Sequence, residues 1–108
     1  MEEQTVNEGK TYAIISYFWV IGTVIAWALN SSKKNKFASF HIRQMIGINL
    51  LSLLNRWVIY TYIGSTVGWV IGVILFVLWV IGFIGALKGE EKRVPIVGDQ
   101  FQEWFKTI

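Results

Sequence analysis

The chain has 108 residues, 54% of them hydrophobic and 16% charged, with a net charge of +3. A soluble domain carries about 25% charged residues, and here the charges sit in short flanks beside apolar runs, which argues against an ordinary globular surface and against nucleic acid as a partner. Cysteine is absent, so disulfides, thiol chemistry and cysteine-bound metals are excluded.

Residues 1–10 read as a flexible polar tail, without the basic start or small-residue cleavage site of a removable signal peptide. The first apolar span is 11–29, uncharged throughout; at about 1.5 Å per residue it covers roughly 28 Å, close to the thickness of a bilayer's hydrocarbon core. Asn30-Ser-Ser-Lys-Lys-Asn-Lys36 closes it as a solvated loop. The second span is 44–62, the continuation of a helix that starts near Ser39, whose hydroxyl suits an N-cap. Only Ile63-Gly-Ser-Thr66 separates it from the third span, 67–87, so these two helices form a tight antiparallel hairpin. The β-branched residues of the third span could suggest a strand, but the uncharged run is too long, and a bilayer admits only helices or closed barrels.

Beyond Lys88-Gly-Glu-Glu-Lys-Arg93, Pro95 and Gly98 break the chain. Asp99 with Gln102 resembles a capping box for a last helix over 99–108. Phe101, Trp104, Phe105 and Ile108 fall on one face of it, which predicts an amphipathic helix lying in the membrane interface; packing back onto the loops of the bundle is the alternative. The expected fold is an all-α membrane protein in a single domain, 1–108, with three transmembrane helices and this C-terminal interfacial helix.

Basic residues set the orientation. Lys33, Lys34, Lys36 and Arg43 follow the first span, and Lys88, Lys92 and Arg93 follow the third. Three spans place both groups on one side, which predicts an N-terminus outside and a C-terminus in the cytoplasm, in the inner membrane. Trp19 and Trp79 lie deep in their spans, where each indole N–H needs an acceptor.

Gly64, Gly68 and Gly72 recur every fourth position and offer a bare face for close helix packing, within the chain or against a second subunit. Gly82 and Gly85 suit the same role further along, and Gly89 suits a helix terminator. Asn49, Ser52, Asn55 and Arg56 form a polar stripe on the second span. It reads either as interhelical hydrogen bonding, each bond worth about 0.6–1.7 kcal/mol, or as a path for a substrate or ion. At the head of that helix, Phe40, His41, Arg43 and Gln44 are candidates for contact with lipid headgroups or a partner. His41 is the only histidine and has no ligands spaced to join it, so no metal site is expected. No catalytic motif is present, and neither catalytic residues nor a cofactor are expected.

Phe37-x-x-Phe40-His41-x-Arg43-Gln44 after a lysine-rich loop, with Lys88-Gly89-Glu90 ending the third span and a basic segment leading to Pro95, resembles a group of small bacterial membrane proteins of unassigned function, similar to the Tic-twenty component of chloroplast protein import. The resemblance covers residues 11–105. It implies a multi-pass membrane protein with an accessory role in protein import or translocation, although the chloroplast component has four membrane helices and three are expected here. The function expected is therefore a non-enzymatic small subunit of a membrane complex, in contact with the lipid bilayer and with other membrane proteins or further copies of itself. The alternative is an oligomeric transporter or channel whose path is lined by the stripe of the second helix.

Overall fold

The computed structural model describes residues 3–108, apart from the side chain of Trp19. Met1 and Glu2 of the expected tail, and the expectation for the Trp19 indole, lie outside the described residues. The described residues are helical with no strand: α1 (Glu3–Ser16), α2 (Trp19–Lys33), α3 (Lys36–Leu54, continued as a wider π-helical segment over Asn55–Ile63), α4 (Ser65–Leu87) and α5 (Gly98–Trp104).

α3 with its extension and α4 form a long hairpin joined by Gly64 alone, whose φ of +141° only a glycine adopts without strain. Gly64 is thus a turn residue and not, as expected, part of a packing face: nothing lies within 4 Å of where its side chain would begin. α4 is the one described helix both long and apolar enough to cross a membrane, and only 28% of its most apolar stretch is buried. Val70, Val73, Phe76 and Val77 remain exposed along it. A core helix of a soluble protein would cover such a surface; a helix facing hydrocarbon has no need to.

The first span departs most from expectation. Residues 11–29 form no single helix, because the chain reverses at Tyr17 and Phe18 between α1 and α2. In one straight helix Thr5 and Asn35 would lie about 45 Å apart at 1.5 Å per residue, yet the Asn35 amide donates to the Thr5 carbonyl at 2.9 Å. α1 therefore rises beside α3, turns at Tyr17, and α2 descends to the level at which α1 began. The single helix expected over 11–29 is corrected accordingly.

A reversal inside an apolar bundle is tolerated only if its freed carbonyls find donors. Here they do. Thr23 Oγ1 donates to Ser16 O at 2.8 Å, the Trp79 indole donates to Tyr17 O at 2.8 Å, and Gly22 N donates to Phe18 O at 2.9 Å. Gly22 has to be bare, since a Cβ there would lie 2.3 Å from Ile15 O.

Residues 3–10 are helical for a related reason. Gly9 lets α1 approach so closely that a Cβ would overlap the Asn35 carboxamide. Asn35 caps α3 by accepting from Ala38 N at 3.0 Å, a role expected of Ser39. Ser39 instead accepts from the Asn30 amide at 2.9 Å.

The last helix is also corrected. Phe101 is 2% exposed and packs flat against the bare backbone of Gly47, and Gln102, placed on the polar face by its spacing, is buried and donates to Phe40 O at 2.9 Å. Phe105 leans on the same core. Trp104 alone of the expected interfacial aromatics is exposed, so α5 is a packed element of the bundle rather than a helix with its apolar face in lipid.

Candidate functional site

Tyr17, His41 and Gln44 meet where the tip of α1 reaches α3 and α4, and all three are fully buried. The Tyr17 hydroxyl lies 2.7 Å from His41 Nδ1, and Gln44 Nε2 donates to it at 3.1 Å. His41 Nε2 lies 2.9 Å from the Glu90 carbonyl. A carbonyl can only accept, so Nε2 carries the proton. In the neutral ring Nδ1 then accepts from Tyr17. Gln44 Oε1 in turn accepts from Val94 N at 2.7 Å. The Tyr17 hydroxyl donates once and accepts once, each other polar atom of the chain of bonds has one partner, and the pattern fits a neutral histidine.

Local sequence explains how the pieces come together. Gly82 is bare where the Tyr17 hydroxyl passes, since a Cβ would lie 2.6 Å from it. Gly89, with φ +73°, ends α4 in a left-handed turn in which Glu90 N donates to Gly85 O at 2.8 Å. That turn aims the Glu90 carbonyl at His41. Phe37 and Phe40 flank the imidazole edge-on, with ring centroids 4.8 and 5.1 Å away. Burial pushes the His41 pKa from its ordinary 6.5 down to about 4.

The expected headgroup contacts at Phe40, His41 and Gln44 are therefore interior groups. They were placed at the interface on the assumption that α3 begins beside a loop; in the structure α1, α2, α5 and the segment after α4 cover that end of α3. Arg43 lies at the edge of the cluster. Its guanidinium donates to Phe105 O at 3.1 Å, Gln102 Oε1 at 3.4 Å and Lys106 O at 2.9 Å, holding the C-terminal end of α5 onto α3. Beside it opens a polar cleft of about 960 Å³ with Lys34, Lys36, Glu91 and Arg93 among its lining.

The stripe residues divide. Asn49 donates to Thr23 Oγ1 at 2.8 Å, and Asn55, buried, donates to Gly68 O at 2.9 Å. Ser52 and Arg56 are exposed; Asn49, Ser52 and Asn55 line one cleft, while Arg56 lies outside it. Gly68 packs beneath the Tyr60 ring, and Gly72 faces Asn55. Tyr17, Trp79 and Thr23 were not singled out as site residues. The one signal in the sequence was that an indole deep in an apolar run requires an acceptor. Among the described residues no group of three or more His, Cys, Asp or Glu side chains could hold a metal ion.

The model of the magnetosome magnetite crystal formation protein family matches residues 8–101. Among curated proteins the chain is similar to two from Methanocaldococcus jannaschii. It is 28% identical to UPF0132 membrane protein MJ1443 over 91% of this chain and 88% of that one. It is 30% identical to UPF0132 membrane protein MJ1527 over 84% of this chain and 64% of that one, so it spans less than two thirds of the second relative. No solved structure matches.

Proposed function

The chain belongs to the magnetosome magnetite crystal formation protein family, and from that premise we propose that this small membrane protein is a non-enzymatic subunit of an assembly in the cytoplasmic membrane. Segments 44–62 and 67–87 cross the bilayer, while α1 and α2 enter it from one side and return. All described lysines and arginines except Arg56 belong to the end that carries α5 and the Asn35 turn, and by the positive-inside bias that end is cytoplasmic. Both termini are then cytoplasmic.

The observation that carries the subunit reading is how the polar side chains are used. Tyr17, His41, Gln44, Asn49 and Asn55 all bond within the chain, and His41 has both ring nitrogens occupied, with no substrate-facing position. Outward the molecule offers exposed apolar side chains on α2, α3 and α4, those of α4 forming the longest uncharged helix face. An accessory role in protein import or translocation is the specific form that the Tic-twenty resemblance suggests. An oligomeric transporter is the second reading, favoured by the exposed Ser52.

Reporters active only outside the cytoplasm, fused before Met1 and after Ile108, are both expected to be silent; activity from the N-terminal fusion would overturn the re-entrant arrangement. A photocrosslinking residue at Val70 or Val77, exposed on α4, is expected to trap a discrete protein adduct in cells, while one at buried Leu78 traps none. Lipid adducts alone at both exposed positions would remove the subunit reading.

A further inference from the structure

Because the α1–α2 reversal stops partway along the bundle, α3 and α4 continue beyond it as an isolated pair, and a cleft of about 530 Å³ opens above the tip. Its apolar walls are Phe18 from the tip, Met45 and Ile48 from α3, and Leu75, Phe76 and Trp79 from α4, with the polar side chains of Asn49 and Ser52 beside them on α3. No charged residue lines it. At its far end stands Asn55, 6% exposed, whose Nδ2 is spent on Gly68 O and whose Oδ1 has no partner. It is the one buried side-chain polar atom left unpaired among the described residues.

An unpaired carbonyl in an apolar cleft is destabilising unless a donor reaches it. Water has few partners there, since apart from Asn49 and Ser52, and Tyr17 at the tip, the rest of the lining is apolar. The chemistry on the page asks for a molecule with a long apolar body and one uncharged hydrogen-bond donor. A phosphate headgroup fails on both counts, since it only accepts and brings charge to a wall with no cation. Asn55 also lies at the inner end of the π-helical segment Asn55–Ile63, eight residues before its end, deeper than a phosphate sits. The volume falls within the range of ordinary ligand sites, roughly 300–1,000 Å³.

We propose that this cleft binds a long-chain alcohol, its hydrocarbon chain along Ile48, Leu75 and Phe76 and its hydroxyl donating to Asn55 Oδ1. Such a site goes beyond the subunit role and does not depend on it.

The test uses the full chain in detergent micelles with a photoactivatable hexadecanol, competed by hexadecanol or by its methyl ether, which lacks the donor. The alcohol is expected to compete about tenfold better than the ether, the net worth of one neutral hydrogen bond, with the label mapped to α4 around Phe76. Asn55→Leu is expected to erase the difference between the two. Gly72→Leu supplies a second variant: Gly72 lines the cleft and a Cβ there meets only Asn55 Nδ2, at 3.7 Å, so the added side chain is expected to fill the cleft and abolish labelling, with tryptophan fluorescence checking that the variant is folded. Equal competition by alcohol and ether on the wild type, label scattered over the exposed apolar surface, or undiminished labelling of Gly72→Leu would each overturn the proposal, as would crosslinking of the cleft to a second copy of the chain.

Discussion

Tyr17→Phe is expected to destabilise the folded chain by roughly 3 kcal/mol, since the change removes one oxygen and leaves two buried groups unpaired at about 1–3 kcal/mol each. His41 Nδ1 loses its donor and Gln44 Nε2 loses its acceptor. The ring itself stays, so its contacts with Trp79 and Phe83 are retained and the loss reports the hydroxyl. Unfolding in micelles, followed by tryptophan fluorescence, measures it. The Tyr17→Phe, Gln44→Leu pair should be far less costly than the sum of its single changes, because the two side chains share one bond. A variant as stable as wild type would mean that the hydroxyl is not the centre of the cluster.

The second large effect is on pH. His41 precedes the segment 44–62 proposed to cross the bilayer, and its pKa falls from 6.5 to about 4 on folding through burial. The sign follows directly. The unfolded chain takes up the proton near pH 6.5 and the folded chain only near pH 4, so the stabilising preference for neutral His41 is complete above pH 6.5. It is lost progressively as pH falls toward 4, by about 3 kcal/mol at 1.36 kcal/mol per pH unit. Hydrogen bonding points the same way, because a protonated Nδ1 would displace the Tyr17 proton from its acceptor. Glu90 touches the ring through its carbonyl and not its carboxylate, so no nearby anion offsets the loss. Unfolding measured at pH 7.5 and 4.5 should differ by this amount more in wild type than in His41→Gln. Parallel pH dependence in the two proteins would overturn the assignment.

Parts of this arrangement could be read in advance and parts could not, for identifiable reasons. The tight turn at Gly64, the uncharged run of α4 and the terminator at Gly89 are local signals, each spelled by neighbouring residues. The two pieces of the family resemblance, Phe40-His41 and Lys88-Gly89-Glu90, prove to be the two sides of one contact, which the spacing alone did not say. The reversal at Tyr17 was hidden because no proline or charge marks it. The donor to the Tyr17 carbonyl comes from Trp79, a partner 62 positions away, and no local pattern announces such a donor. α5 was misplaced for another reason: an apolar face at i, i+3 and i+4 looks the same whether it meets lipid or the bare backbone of Gly47. Burial of Gln102 on the supposed polar face decides the matter.

The distance between Tyr17 and Trp79 also has a bearing on synthesis. A ribosome adds about 5–20 residues per second, so the carbonyl at the tip of α1 is made roughly 3–12 s before the indole that satisfies it. Until α4 has been made and packed, the reversal between α1 and α2 lacks this donor. A chain truncated before Trp79 would leave the Tyr17 carbonyl without it.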